Sequence, residues 1–152
     1  YDIEALNSVM IGLPGETEAN VWKTLNFLSK SKEVKQANFA IATPYPGTKF
    51  HDMAKNGEGG MTLLSNNFTE YKRYGQAVTK VNNLGPKDLI RLQNEGFVSI
   101  YSKYWRWLPV LRKNGIIGLL LTFYRIIKML KDKIIYKTES FHRKRFLDQQ
   151  SN

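Results

Sequence analysis

The sequence predicts an α/β fold in which a βαβ unit is followed by a mainly helical C-terminal region. Apolar segments at 5–12 and 36–43 have the length of buried strands, and an amphipathic segment at 18–32 separates them. Helical apolar spacing then dominates from residue 86 onward. The strand–helix–strand order predicts two adjacent parallel strands joined by a right-handed crossover, with the helix packed on one face.

The first strand ends in a Gly-Pro-Gly turn within the sequence SVMIGLPGET, residues 8–17. Its three consecutive apolar residues, 9–11, predict a strand that is buried on both faces of a parallel sheet. Gly12 and Gly15 permit a positive φ or a close backbone approach, and Pro14 fixes φ between them. Since ligands of α/β proteins bind where strands end, this turn is a candidate binding element, although on its residues alone a purely structural βα turn is the favoured interpretation.

A helix over 18–32 is predicted to begin at Thr17, whose side chain suits an N-cap. Val21, Leu25 and Leu28 recur on one face, and Trp22 beside them is expected to pack on the sheet rather than bind a base. Glu16 can accept a hydrogen bond from a ligand or stabilise the helix start, and we favour the second role.

The second strand, 36–43, runs into the sequence TPYPGT, residues 43–48. Each residue before a proline is held extended, so this segment is stiff and can present backbone groups to a ligand. The alternative is a rigid loop without ligand contact. Thr48 is expected to cap a short helix at 49–55, after which 56–60 reads as a flexible connection and 61–84 as loop-rich with some short strand.

The motifs IGLPGET and TPYPGT, joined by a helix and a strand, resemble the second half of a radical S-adenosylmethionine barrel, most closely its cobalamin-dependent branch. The resemblance implies a partial TIM-type barrel for 1–84 and a methylase or cyclase acting on a small-molecule or lipid-like substrate. It also implies contacts to S-adenosylmethionine at the two strand ends. The residues concerned are Ile11, Gly12, Leu13, Gly15, Pro44, Tyr45 and Pro46.

Members of that family hold a [4Fe–4S] cluster with three cysteines early in the barrel, whereas this sequence contains no cysteine. The cluster and the cobalamin are therefore expected only in a preceding N-terminal part, and the fragment alone is expected to be inactive. No catalytic residue and no metal site can be assigned from the sequence. His51 has no companion ligands at metal spacing and is interpreted as a surface residue.

A helical extension is predicted for 85–137, opening with Pro86 at the favoured first helical position. Apolar spacing from Leu89 to Trp107 predicts one long helix that Pro109 interrupts. The aromatic residues at 101–107, interspersed with basic ones, can stack nucleic-acid bases, but core packing with an interfacial edge is the favoured interpretation.

Positive charge is concentrated in the C-terminal part. Residues 1–84 hold nine Lys/Arg against eight Asp/Glu, whereas residues 85–152 hold fourteen against five. The uncharged run 115–124 is too short to span a bilayer, which needs about 20 apolar residues. The pattern over 115–137 instead predicts an amphipathic helix on an anionic membrane surface or a partner protein, followed by a basic, flexible tail at 138–152.

Two further interpretations of the whole chain stay open at this point. One is a basic interaction module for a membrane surface or, less favoured, for nucleic acid. The other is a stand-alone α/β piece without activity. The N-terminus shows no signal-peptide pattern, so the expected location is cytoplasmic, with peripheral contact at the inner membrane face as an option.

Overall fold

The computed structural model describes residues 6–108, 111–112 and 115–131. These residues form a mixed α/β arrangement with two separate two-stranded sheets. In chain order the elements are β1 (Leu6–Ile11), α1 (Glu18–Lys30), β2 (Gln36–Ile41), α2 (Lys49–Asn56), β3 (Met61–Leu63), β4 (Thr79–Val81) and α3 (Pro86–Tyr101). A further helical stretch at 115–131 is designated α4.

The predicted βαβ unit is confirmed. Strands β1 and β2 pair in parallel, from Leu6 opposite Gln36 to Ile11 opposite Ile41. Thr17 caps α1 as expected, its hydroxyl accepting from the Asn20 amide at 3.3 Å. The helix ends two residues earlier than predicted, at Lys30. The main core lies between this sheet and the helices α1 and α3, and half-buried Trp22 packs against it.

Close packing of α3 on β2 depends on a glycine. A Cβ placed on Gly96 would lie 2.8 Å from Cγ of Phe39, nearer than real side chains approach. The ring of Phe39 is fully buried against this glycine and meets Phe97 edge-on at 5.4 Å. Helix α3 therefore lies directly on the strand whose carboxyl end carries the second turn.

The prediction that β1 is buried on both faces is wrong. Leu6 and Met10 are 61% and 51% exposed, and Ser8 between them is also exposed. Parallel sheets are normally covered on both faces, but the described residues place helices on one face only. These residues form no closed barrel, so the partial TIM-type barrel stays a prediction, as do the proposed domain boundaries.

Helix α3 ends at Tyr101, so the prediction of one helix through Trp107 is wrong. The reason is tertiary, because the side chains that follow bond back to the helix end. Arg106 donates to the Ile100 carbonyl at 2.9 Å, and Trp107 donates to the Tyr101 carbonyl at 3.0 Å. These bonds satisfy carbonyls that a continuing helix would use. Pro109, the predicted break, lies outside the described residues.

The remaining elements agree with the sequence in outline. Thr48 caps α2, which runs one residue further than predicted, to Asn56. Strands β3 and β4 form a short antiparallel pair, with Met61 opposite Val81, inside the loop-rich region. Within the described part of the chain, no helix has both the length and the apolarity needed to cross a membrane. Residues 132–137 and the predicted tail at 138–152 lie outside that part.

Candidate functional site

The parallel pairing of β1 and β2 brings two turns to the same edge of the sheet. The last residues of both strands are paired, and the Ala42 amide donates to the Ile11 carbonyl at 2.8 Å. The turn at 12–16 and the turn at 43–46 therefore begin side by side. We call them together the strand-end site, since this edge is where α/β proteins place ligands.

The first turn is held by its own glutamate. Gly12 and Gly15 have φ angles of +92° and +73°, which favour glycine. One carboxylate oxygen of Glu16 accepts from the Gly12 amide at 2.6 Å and from the Leu13 amide at 3.3 Å. Glu16 therefore stabilises the turn itself, rather than only the helix start for which the sequence suggested it.

The glycine-rich segment 57–60 packs against this turn and forms a hydrogen bond with it. The Gly15 amide donates to the Gly59 carbonyl at 2.7 Å. A Cβ on Gly59 would lie 2.6 Å from Cβ of Pro14, so the close approach requires glycine. The Asn82 side chain adds a bond to the Glu16 carbonyl at 2.9 Å. The segment is thus part of the site's support, and the prediction of a mere flexible connection is wrong.

The second turn is held by an imidazole and a phenol. Pro44 is buried, and its carbonyl accepts from Nδ1 of half-buried His51 at 3.1 Å. The hydroxyl of Tyr45 donates to the Tyr71 carbonyl at 3.4 Å, although the Tyr45 side chain stays 47% exposed. Burial raises the pKa of Tyr71. His51, interpreted from sequence as a surface residue, in fact positions this turn.

The seven residues predicted to contact S-adenosylmethionine occupy unequal positions. Exposed members are Leu13, Gly15, Tyr45 and Pro46, whereas Ile11, Gly12 and Pro44 are buried. The Ile11 side chain is 1% exposed and belongs to the core. Since the Gly12 and Leu13 amides already bond to Glu16, the accessible surface of the site consists mainly of aliphatic and aromatic side chains. Ligand contact by these residues stays a prediction.

Gln93 is a structurally central residue that the sequence interpretation missed. Its side chain on α3 is 2% exposed and donates to the Phe39 carbonyl at 2.7 Å and to the Arg73 carbonyl at 2.9 Å. Its oxygen accepts from the Gly75 amide at 2.9 Å. Gln93 thereby fixes the segment 73–75 beside β2. A signal was present, because position 93 follows Leu89 by one helical turn and lies on the apolar face of α3.

Metal-binding side chains do not converge in the described ranges. No group of three or more His, Cys, Asp or Glu residues there lies close enough to hold a metal ion. The strand-end site instead offers rigid backbone, an exposed leucine and an exposed tyrosine. Surfaces of this kind suit a flat, uncharged ring better than a phosphate or a metal ion.

One comparison with known proteins gives a significant match. The chain is 32% identical over 101 residues to an uncharacterized methyltransferase of Pyrococcus horikoshii. The match covers 66% of this chain and 21% of the relative, so the chain spans about a fifth of the relative's length. No protein-family model matches the sequence. No solved structure matches it either.

Removing the Glu16 carboxylate is expected to loosen the first turn. Glu16→Ala leaves the buried Gly12 amide and the Leu13 amide without their acceptor, which costs about 1–3 kcal/mol of unfolding free energy. Glu16→Gln retains an acceptor oxygen and should lose less than half as much. Urea unfolding followed by circular dichroism measures both, with exposed Glu33→Ala as the matched control. Equal stability of the Glu16→Ala and Glu33→Ala proteins would contradict this role.

Proposed function

We propose that the chain is the C-terminal portion of an S-adenosylmethionine-dependent methyltransferase of the radical, cobalamin-dependent type. The juxtaposition of two proline- and glycine-containing turns at the carboxyl edge of a parallel sheet carries this proposal. Its sequence support is the match to a methyltransferase over 101 residues. A cyclase of the same type is the alternative reaction, and the substrate is a small or lipid-like molecule.

The exposed surface of the sheet agrees with a place in a larger barrel. Among the described residues β1 pairs with β2 alone, so its other edge has no partner strand. The face carrying Leu6 and Met10 is also open, although both side chains are apolar. Apolar strands with an unpaired edge are a liability unless further strands or helices cover them. Additional strands of a longer protein would remove both exposures.

Within the strand-end site, Leu13 and Tyr45 are the side chains best placed to hold the adenine ring. They are 41% and 47% exposed, and each extends from a backbone that is fixed by hydrogen bonds. Pro46, also exposed, adds a rigid apolar surface beside them. In an enzyme of this type, S-adenosylmethionine would supply a 5′-deoxyadenosyl radical and methylcobalamin the methyl group, while this chain's residues orient S-adenosylmethionine and shield it from water. Ile11 contributes through the core that supports the first turn.

This chain's own residues do not fit an iron–sulfur cluster. Clusters of this kind are held by thiolates, and the sequence contains no cysteine. Under the proposal, a CxxxCxxC motif and the cobalamin site belong to residues outside this sequence. The complete gene sequence is therefore the simplest check on the radical mechanism, because a gene product without such a motif would contradict it.

A double truncation tests the cofactor site. In the complete gene product, Leu13→Ala with Tyr45→Ala is expected to weaken S-adenosylmethionine binding about tenfold or more, because stacking on a ring contributes about 1–3 kcal/mol. Both side chains are substantially exposed, so folding should be retained. Isothermal titration calorimetry with S-adenosylmethionine gives the dissociation constants.

The matched control is Phe27→Ala with Leu64→Ala, which removes similar exposed apolar groups elsewhere, at 69% and 51% exposure. This control should bind as the parent does. Gly12→Val provides a second test, because valine is strained at a φ of +92° and would displace the turn. Unchanged binding in the folded Leu13/Tyr45 variant would argue against the site assignment.

A further inference from the structure

The outward surface of α4 carries an unusual density of exposed apolar side chains. Six large residues there are between 52% and 75% exposed. We call them the α4 outer face; they are Ile116, Ile117, Leu120, Leu121, Tyr124 and Ile127. Isolated exposed apolar residues are ordinary, but a contiguous group of this size marks an interaction surface.

Packing of α4 on the rest of the protein uses its opposite side. Leu119, Phe123, Ile126 and Met129 recur at helical spacing and are all half-buried. The Phe123 ring meets the Trp107 ring edge-on at 4.9 Å. One side of α4 therefore packs on the rest of the protein, while the outer face stays exposed.

Among the residues that the structure describes around this face, the charges have one sign. Residues 102–131 contain seven Lys/Arg and no Asp/Glu. Arg112 precedes the uncharged run 115–124, and Arg125, Lys128 and Lys131 follow it, all of them exposed. The apolar surface is thus bounded by cations at both ends of the helix.

We infer that α4 binds an anionic lipid bilayer, lying in the plane of one leaflet with its outer face among the upper acyl chains. The uncharged run of ten residues is about 15 Å long as a helix, half the hydrocarbon thickness, so it fits along the interface and not across it. Lysines at 128 and 131 lie beside apolar neighbours, and their long side chains can reach the headgroups. This inference is independent of the methyltransferase proposal.

A bilayer fits the charge pattern better than a second copy of the chain. Two outer faces packed together would bring Lys128 and Lys131 of each copy close to like charges, without a carboxylate in 102–131 to offset them. An anionic surface instead attracts every cation on the helix. Nucleic acid would satisfy the charges but leave six apolar side chains in water.

Vesicle flotation tests the inference on the intact chain. Vesicles of phosphatidylcholine alone are compared with vesicles that also contain about 30% phosphatidylserine, each at low and at high salt. We expect binding to the anionic vesicles at low salt, and weakening as salt screens the attraction. Lys128→Gln with Lys131→Gln should reduce the partition coefficient about 25-fold, at about fivefold per cation.

Three further pairs of substitutions distinguish binding through this surface from non-specific binding. Ile117→Asn with Leu120→Asn should abolish binding, whereas Phe27→Asn with Leu64→Asn, exposed apolar residues elsewhere, should leave it unchanged. Lys23→Gln with Lys55→Gln is the control for charge, since both are exposed outside α4. Circular dichroism verifies folding of each variant.

Three outcomes would overturn the inference. The first is parent protein that stays unbound with anionic vesicles at low salt. The second is binding that the substitutions in α4 do not change. The third is a dimer in solution that the Ile117/Leu120 variant dissociates while vesicle binding is absent, which would identify the face as a contact between copies.

Discussion

Replacing Arg106 by alanine is expected to lower the free energy of unfolding by about 3–5 kcal/mol, the largest effect of any single change considered. Its side chain is 1% exposed and donates only to main-chain carbonyls. The acceptors are Leu28 at 2.8 Å, Val34 at 2.9 Å, Ile100 at 2.9 Å and Ser31 at 2.9 Å, with Ser29 at 3.3 Å. Alanine would remove the guanidinium donor from all five carbonyls and open a cavity.

A positive charge suits this position, because four of the five carbonyls belong to the C-terminal ends of α1 and α3, where helix dipoles are negative. Burial lowers the pKa of Arg106, and the nearby Tyr101 partly offsets this.

Urea unfolding of Arg106→Ala, Arg106→Lys and the exposed control Arg112→Ala provides the measurement. Lysine keeps the charge but cannot present donors in a planar fork, so it should recover less than half of the loss. Arg112 is exposed, and its removal should change stability by less than about 0.5 kcal/mol. If the two alanine variants were equally stable, this would refute the role of Arg106 in stabilising the C-terminal ends of both α1 and α3.

Gln93→Leu is expected to cost about 2–4 kcal/mol, although leucine has nearly the same volume. The substitution leaves the Phe39 and Arg73 carbonyls and the Gly75 amide without their side-chain partner. The segment 73–75 should then separate from β2, where it also bonds to the Ile41 amide at 2.9 Å. Asn94→Leu, at the next position of α3, is the matched control.

Hydrogen exchange gives a readout that overall destabilisation alone would not produce. In native conditions the Ile41 and Gly75 amides should lose more protection in Gln93→Leu, relative to Asn94→Leu, than the core amides of α1, which report only the overall loss of stability. Unaltered protection of Ile41 and Gly75 would show that Gln93 does not anchor this segment.

The βαβ unit could be predicted because its determinants are local. Apolar periodicity defined α1, Thr17 and Thr48 capped helices as their side chains suggest, and the strand–helix–strand order gave the parallel pairing. The exposure of Met10 could not be predicted, since apolar sequence does not say whether a neighbouring element is present. The end of α3 could not be predicted either, because Arg106 and Trp107 determine it through their own hydrogen bonds.

The candidate site also has a part that the sequence predicts and a part that it does not. Its turns were predictable from glycine and proline, whose backbone preferences are intrinsic. Its supports were not, because they join residues far apart in the sequence. Gly59 lies beside Pro14, the Asn82 side chain donates to the Glu16 carbonyl, and the Gln93 side chain donates to the Phe39 carbonyl. A single sequence carries no record of such pairs.

The bonds that fix the first turn have a consequence for binding thermodynamics. The Glu16 carboxylate, the Gly59 carbonyl and the Asn82 side chain all form hydrogen bonds with this turn. Its backbone has therefore already lost its conformational entropy on folding. A ligand that docks there has little further ordering to induce, and less of its contact energy is consumed in arranging the protein. Binding at this edge would then be binding to a preorganised site. Its selectivity would be set by the shape of the site, and association would need no preceding loop closure.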